Sequence, residues 1–100
     1  MTLDDITTKL KGKTENSHGL RARILFDFGD EGVIHIDSTE SPAIVKNEAD
    51  DADVTLATTL DTFGKILNGE SDPNIAFMMG KLKIRGSMGL ALKLNAFLED

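Results

Sequence analysis

Few residues of this chain could carry acid–base or nucleophilic chemistry, and they do not form a catalytic set. His18 lies in a polar segment, and His35 falls on the polar side of a predicted strand. A hydrolase would need one of them held between a carboxylate and a nucleophile. The chain has no Gly-x-Ser-x-Gly elbow, and Ser87 in "GSMG" stands where a helix cap is expected. The pattern therefore predicts a protein that is not an enzyme.

An acidic run is the candidate for metal binding. Glu48, Asp50, Asp51 and Asp53 follow one another closely, and hard cations such as Ca²⁺ prefer several carboxylate ligands. The run lacks the glycine and the distal bidentate glutamate of an EF-hand loop, so we predict a solvated loop without a metal. Asp53, at the start of a predicted strand, is expected to cap or turn the backbone.

Other cofactor chemistry has no sequence support. The absence of cysteine excludes disulfides, thiol catalysis and Cys-ligated metals. The glycine-flanked stretch "GKLKIRG" has the alternation of a strand and lacks the helix that must follow a phosphate-binding loop. We therefore predict no bound cofactor.

Length and charge limit the partners. One hundred residues fit a single domain, here taken as 1–100. The net charge of −6 argues against nucleic acid and against anionic membranes, because both attract clustered Lys and Arg. No apolar run approaches a membrane span, and "MTLDDITTKL" does not read as a signal peptide. We expect a cytoplasmic protein without stable membrane insertion.

Hydrophobic periodicity predicts an α+β fold. Apolar residues recur with period two in five segments and at helical spacing in four others. This order suits a five-stranded mixed or antiparallel sheet with helices packed on one face. The predicted strands cover about 20–28, 33–37, 43–46, 54–58 and 81–85, and the predicted helices cover about 3–12, 60–68, 73–79 and 88–98. The first two strands are expected to form a hairpin. Thr2 and Asp5 have the spacing of a capping box, and Thr59, Asp72 and Ser87 stand where the other helices should be capped.

The last two helices contain more apolar surface than one sheet can cover. Met88, Leu92 and Ala96 lie on a different side of the final helix from its sheet-facing arc, and residues 75–79 ("IAFMM") cannot all face one partner. This surface must pack between helices, against another subunit or around a ligand. The residues alone leave the three alternatives open. The sheet-facing arc consists of Leu90, Ala91, Leu94, Phe97 and Leu98.

The second half of the chain resembles a sterol carrier protein-2 (SCP-2) domain. The stretch "DADVTLATTLDTFGKILNGESDPNIAFMMGKLKIRGSMGLALKLNAFL" has the family's pieces in the family's order, and the first half agrees in outline. The resemblance implies a sheet covered by helices that enclose a hydrophobic tunnel. The matching positions are Asp53 before 54–56, Leu67 with Gly69, Pro73 with Ala76 and Phe77, 80–86, and Met88, Gly89, Leu90, Ala91, Lys93 and Leu94.

The resemblance also implies a function: carriage of a fatty acid, fatty acyl-CoA, sterol or isoprenoid lipid without chemical turnover. The chain lacks a terminal Ser-Lys-Leu peroxisomal signal and the C-terminal extension of longer relatives. We therefore expect no peroxisomal targeting. Two alternatives stay open: a structural or interaction module that forms a homodimer through the spare apolar helix faces, and an accessory factor that presents a lipid intermediate to pathway enzymes.

Candidate ligand contacts follow from the resemblance and from strand alternation. Lys81, Lys83 and Arg85 share one side of a strand, where they could bind an anionic head group or simply face solvent. Arg21 and Arg23 have the same alternation. The predicted wall of the lipid site consists of Phe26, Ile36, Phe63, Leu67, Phe77, Met78, Met88, Leu92 and Ala96.

Overall fold

A computed structural model describes residues 1–16 and 21–99 of the chain. Over these residues the fold consists of one five-stranded sheet and four α-helices, with a short 3₁₀ turn at Gly29–Glu31. The elements are α1 (Leu3–Asn16), β1 (Arg23–Asp27), β2 (Val33–Asp37), β3 (Ile44–Lys46), β4 (Val54–Ala57), α2 (Leu60–Leu67), α3 (Pro73–Met78), β5 (Lys83–Gly86) and α4 (Met88–Glu99).

The sheet is mixed, with strand order β3-β2-β1-β4-β5. β1 and β2 form the predicted antiparallel hairpin, and β3 extends the sheet on the far side of β2. The chain then returns to the other side of β1, so that β4 pairs with β1 in parallel. β5 pairs antiparallel with β4 and forms the opposite edge.

The helices cover one face of the sheet, as predicted for an α+β fold. Alternate strand residues on this face are buried, and they form one core with apolar residues of α1, α2 and α4. The ring of Phe63 lies 5.1 Å from that of Phe26 and 5.5 Å from that of Phe28, measured between centroids. The buried strand residues on this face are Ile24, Phe26, Ile34, Ile36, Val54 and Leu56.

Side-chain caps fix where the helices begin. At α1 the Thr2 N–H donates to Asp5 Oδ2 (3.0 Å) and the Asp5 N–H donates to Thr2 Oγ1 (3.2 Å). This capping box was predicted, and the Thr2 hydrogen bonds lower the pKa of the Asp5 carboxyl. The predicted caps of the other three helices are also confirmed. They are Thr59, Asp72 and Ser87, whose side chains accept from the N–H groups of Thr62, Asn74 and Leu90.

Several predicted boundaries are wrong. β1 covers Arg23–Asp27 and is shorter than the predicted strand of about 20–28. α1 continues past Gly12 to Asn16, because a single glycine inside a helix costs only about 1 kcal/mol relative to alanine. β5 begins at Lys83 instead of residue 81. The N–H groups of Lys81 and Leu82 donate to the Ala76 carbonyl (2.9 and 3.2 Å) and so close the end of α3. Residues 17–20, which include His18 and the predicted strand start, lie outside the described residues.

His35 is buried, although its strand position suggested a solvated side. Only 2% of its surface is exposed, because the loop between β3 and β4 crosses over it. Its Nε2 lies 2.7 Å from the Asp51 carbonyl oxygen. Asp50 of the same loop pairs with Lys46, the last residue of β3, at 2.6 Å. Among residues 1–16 and 21–99, no group of three or more His, Asp or Glu side chains is placed to hold a metal ion.

Asp53 joins three strands. Its Oδ2 accepts from the Arg23 N–H (2.9 Å), and its own N–H donates to the Arg23 carbonyl (2.8 Å). Its carbonyl accepts from the Ser87 N–H (3.0 Å), just after β5. Gly86 approaches this carbonyl so closely that a Cβ there would overlap the oxygen, and its φ is +98°. The predicted backbone role of Asp53 is confirmed.

We predict that Gly86→Ala lowers the free energy of unfolding by about 3 kcal/mol or more, because positive φ and overlap with Asp53 act together. Gly80→Ala is the matched control: its φ is +76° but nothing lies within 4 Å of an added Cβ. We expect it to cost about 1 kcal/mol. Urea denaturation measures both, and equal losses would show that the close approach at Gly86 does not matter.

Candidate functional site

An apolar cleft of about 150 Å³ lies between α3, α4 and the edge strand β5. Two amides are the polar side chains of its lining, and the remaining walls are hydrocarbon, thioether or aromatic. The lining consists of Leu56, Pro73, Asn74, Phe77, Leu82, Ile84, Met88, Ala91, Leu92, Leu94, Asn95 and Leu98.

α3 forms one wall because local contacts hold it across the sheet edge. Pro73 stands at the first helical position, where its fixed φ favours the helix. Ala76 is 2% exposed and faces the core, and its carbonyl accepts from the N–H groups of Lys81 and Leu82, just before β5. At the rim, Asn95 Nδ2 donates to Asn74 Oδ1 (3.1 Å) and so connects α4 to α3.

α4 forms the other wall and has two different sides. Leu94 and Leu98 are buried against the sheet, as the sheet-facing arc predicted. Met88 and Leu92 line the cleft but keep 53% and 71% of their surface exposed. Packing within the described residues therefore leaves this second side of α4 largely uncovered, and the cleft opens beside it.

The chemistry of the cleft is that of an apolar binding site. Its two polar side chains, Asn74 and Asn95, do not titrate and already bond to each other. Shifted pKa values occur elsewhere in the described chain. Hydrogen bonding from Thr39 lowers the pKa of Asp37, and the Lys46–Asp50 hydrogen bond raises the pKa of the lysine and lowers that of the aspartate. The cleft can hold hydrocarbon.

Two further depressions border the cleft. A recess of about 250 Å³ at the end of α2 shares Pro73 and Leu98 with it and includes Leu67. On the other side, a surface groove along β5 shares Phe77 with the cleft and is lined by Lys83 and Arg85. Hereafter these are the α2 recess and the β5 groove. The cleft is therefore flanked by a second pocket on one side and by cations on the other.

The structure places the predicted wall residues in different environments. Phe77, Met88 and Leu92 line the cleft, and Leu67 lines the α2 recess. Met78 is 82% exposed and lines none of these three depressions. The side chain of Ala96 lies outside the described part of the chain. Phe26, Ile36 and Phe63 are buried in the core between sheet and helices.

The cationic side chains predicted to contact a head group also lie in different places. Lys83 and Arg85 line the β5 groove, whereas Lys81 is exposed but lines none of the three depressions. Arg23 lies 3.5 Å from Asp37 in an ion pair on the far side of β1. The two arginines predicted on the first strand, Arg21 and Arg23, line none of these depressions either.

Sequence reasoning missed most of the floor of the cleft. Leu82, Ile84 and Leu94 line it, but their spacing is that of ordinary core residues. Asn95 could have indicated the rim of the cleft, because it is an amide close to Leu92 on the apolar side of α4. The structure shows an open cleft, and the continuous tunnel implied by the resemblance stays a prediction.

Fold and cleft together define an α+β domain of the sterol carrier type. The chain belongs to the SCP-2 sterol transfer family, whose model matches residues 3–99. In the described ranges 1–16 and 21–99, no helix has the length and apolar character needed to cross a membrane.

One curated relative is the human hydroxysteroid dehydrogenase-like protein 2. It is 48% identical to this chain over 52 residues, which are 52% of this chain and 12% of that protein. The match thus covers a small part of a longer protein, and the likeness concerns that part only.

Solved structures share the fold. The sterol carrier protein domain 2 of Helicoverpa armigera has a TM-score of 0.77 and 27% identity, covering 94% of this chain and 83% of that one. The sterol carrier protein-2 of Aedes aegypti, determined in complex with the C16 fatty acid palmitate, has a TM-score of 0.79 and 18% identity. This match covers 98% of this chain and 96% of that one.

We predict different costs for truncating two leucines of α4. Leu94→Ala removes a side chain that is 1% exposed and should lower the free energy of unfolding by about 2–5 kcal/mol. Leu92→Ala, at 71% exposure, should change it by no more than about 0.5 kcal/mol. Thermal or urea denaturation of the two variants measures both losses of stability. A large loss at Leu92 would mean that it is packed and not free to line a ligand site.

Proposed function

We propose that the chain is a non-enzymatic carrier that binds the hydrocarbon part of a lipid between α3 and α4. The observation that carries this proposal is the cleft itself. Apolar side chains line it, and two of them, Met88 and Leu92, remain more than half exposed in the described structure. A lipid chain placed there would cover surface that the protein leaves in water, at about 25 cal/mol per Å² of apolar area buried.

The size of the cleft requires that it widen. Ligand cavities typically measure about 300–1,000 Å³, and the cleft holds about 150 Å³. The α2 recess adds about 250 Å³ behind Pro73 and Leu98. We infer that an outward shift of α3 joins the two spaces and gives a site long enough for an acyl chain.

α3 is suited to such a shift because few bonds hold it. It contains six residues, and Gly69 and Gly80, both with positive φ, lie in the turns around it. At the cleft rim its connection to α4 is the hydrogen bond between Asn74 and Asn95, worth about 1 kcal/mol. Met88 is unbranched, so it can adapt to ligands of different shape.

The cations of the β5 groove are an argument that the ligand is an acidic lipid. Lys83 and Arg85 lie next to Phe77, which lines both the groove and the cleft. An acyl chain in the cleft would leave its head group at these cations, where a carboxylate or phosphate can accept charge-assisted hydrogen bonds. The proposed ligand is therefore a fatty acid or fatty acyl-CoA in preference to an uncharged sterol. The palmitate bound by the Aedes aegypti relative is of this class.

We predict that Leu92→Glu weakens binding of a fluorescent fatty acid by about tenfold or more, because an ionised carboxylate is costly in an apolar site. Ile44→Glu is the matched control: Ile44 is 52% exposed on the opposite edge strand, β3. It should bind like the unaltered protein, and circular dichroism should show both variants folded. Unchanged binding by Leu92→Glu would remove α4 from the site. A ligand-free dimer in light scattering would favour an interaction module instead.

The head-group assignment has its own test. Arg85→Gln should weaken binding of a fatty acid by up to about fivefold, the scale of an exposed ion pair. It should leave binding of the fatty alcohol of the same length unchanged, because that ligand has no charge. Competition against the fluorescent probe measures both. Equal losses for acid and alcohol would show that Arg85 does not contact the head group.

A further inference from the structure

β5 is an edge strand with one open side. Within the described part of the chain it pairs with β4 alone. The Ser87 N–H donates to the Asp53 carbonyl (3.0 Å), which extends the antiparallel β4–β5 ladder by one residue pair. Hydrogen-bonded pairs alternate with non-hydrogen-bonded pairs in such a ladder, so the backbones of Arg85 and Lys83 bond to β4. The N–H and C=O of Ile84 therefore point away from β4, toward the open side.

The β5 groove lies along this open side and has two different halves. Phe77, Leu82 and Ile84 form an apolar half on the side of the helices. Lys83 and Arg85 point to the opposite face of the sheet, because side chains alternate along a strand. The groove measures about 700 Å³ and the cleft about 150 Å³. A carboxylate head group alone would therefore leave most of the groove empty.

The two cations of the groove have no acidic partner among the residues that the structure describes. Neither Lys83 nor Arg85 forms an ion pair there. Residues 73–98 contain four of the eleven Lys and Arg residues and none of the seventeen Asp and Glu residues. Cations on an edge strand discourage unspecific strand pairing. The same charges attract a strand that carries carboxylates, so this edge can select its partner by charge.

We propose that the open side of β5 binds an extended acidic segment of a partner protein as a sixth, antiparallel strand. One apolar residue of the segment exchanges both backbone hydrogen bonds with Ile84 and places its side chain beside Phe77. The residues before and after it face Lys83 and Arg85, where Asp or Glu gives favourable cross-strand pairs. The segment that fits this edge therefore has the order acidic, apolar, acidic.

Charge argues against a second copy as the occupant. A symmetric interface uses the same surface on both subunits. Two β5 strands paired through Ile84 would bring Lys83 of each copy opposite Arg85 of the other, and like charges directly opposite in a sheet are destabilising. The proposal does not rest on lipid carriage, although an acidic head group at the same two cations would compete with the segment.

Backbone pairing is tested with a labelled peptide, acetyl-Thr-Glu-Ile-Glu-Thr-amide, added to the protein without lipid. NMR should show slower hydrogen exchange of the Ile84 amide on binding, and no change at the opposite edge, Ile44–Lys46. N-methylation of the peptide isoleucine removes its hydrogen bond to Ile84 and should weaken binding by about fivefold. N-methylation of the second glutamate, whose N–H faces away from β5, should leave binding unchanged. Equal losses, or an unprotected Ile84 amide, would overturn the proposal.

Charge recognition is tested by reversal. Arg85→Glu should weaken binding of the acidic peptide by about tenfold, and it should strengthen binding of acetyl-Thr-Lys-Ile-Lys-Thr-amide relative to the unaltered protein. Opposite changes for the two peptides cannot result from misfolding. Lys11→Glu makes the same change in total charge on α1, where Lys11 is exposed, and it should affect neither peptide. Parallel losses for both peptides, or equal effects of the two variants, would contradict the proposal.

The oligomeric state supplies a third test. The unaltered protein should be a monomer in light scattering, with the Ile84 amide exchanging freely when no peptide is present. A dimer in which this amide is already protected would assign the open side of β5 to a second copy and overturn the proposal.

Discussion

A helix that packs on a sheet buries only one of its sides, but α4 has apolar residues on two sides. Its inner side, with Leu94 and Leu98, completes the core that the sheet and the other helices begin. Among the described elements, the short α3 lies beside its second side, where Met88 and Leu92 stay more than half exposed. The cleft exists because none of the elements in residues 1–16 and 21–99 fills this space. The proposed carriage of a lipid depends on this constraint.

The strength of attachment differs between the two walls. α4 starts directly after β5, where Asp53 and Gly86 fix the chain by backbone contacts to three strands. α3 is held by its cap, by Ala76 and by one amide pair across the rim. The proposed ligand, entering between them, would therefore meet one wall fixed to the sheet and one held by fewer contacts. Under this proposal, stability rests on the sheet junction and ligand entry depends on α3.

The sequence predicted those features that follow from local patterns. Alternation located β1 and β2, and the capping residues Thr59, Asp72 and Ser87 marked the starts of three helices. Features set by tertiary contacts were not predictable in the same way. Lys81 and Leu82 continue the alternation of β5, yet their N–H groups bond to Ala76 and not to β4. His35 has the position of a solvated residue, but a distant loop covers it.

The same limit applies to the candidate site. Leu92 and Leu94 differ by two positions and look equivalent in sequence, yet one is 71% exposed and the other 1%. Helical periodicity separates them correctly, because the sheet-facing arc is defined within one element. Periodicity gives no such separation for Phe26, Ile36 and Phe63, since whether a core residue also borders a cavity depends on how other elements pack above it. Their place in the wall of the lipid site stays a prediction.

Net charge is a poor guide to the charge at one face of a small domain. Screening limits charge interactions to about 8 Å at physiological salt, so a partner that meets one face responds to the local charge. Residues 73–98, which include α3 and β5, have a net charge of +4 within the total of −6. The proposed contact of an acidic head group with Lys83 and Arg85 is therefore compatible with an acidic total.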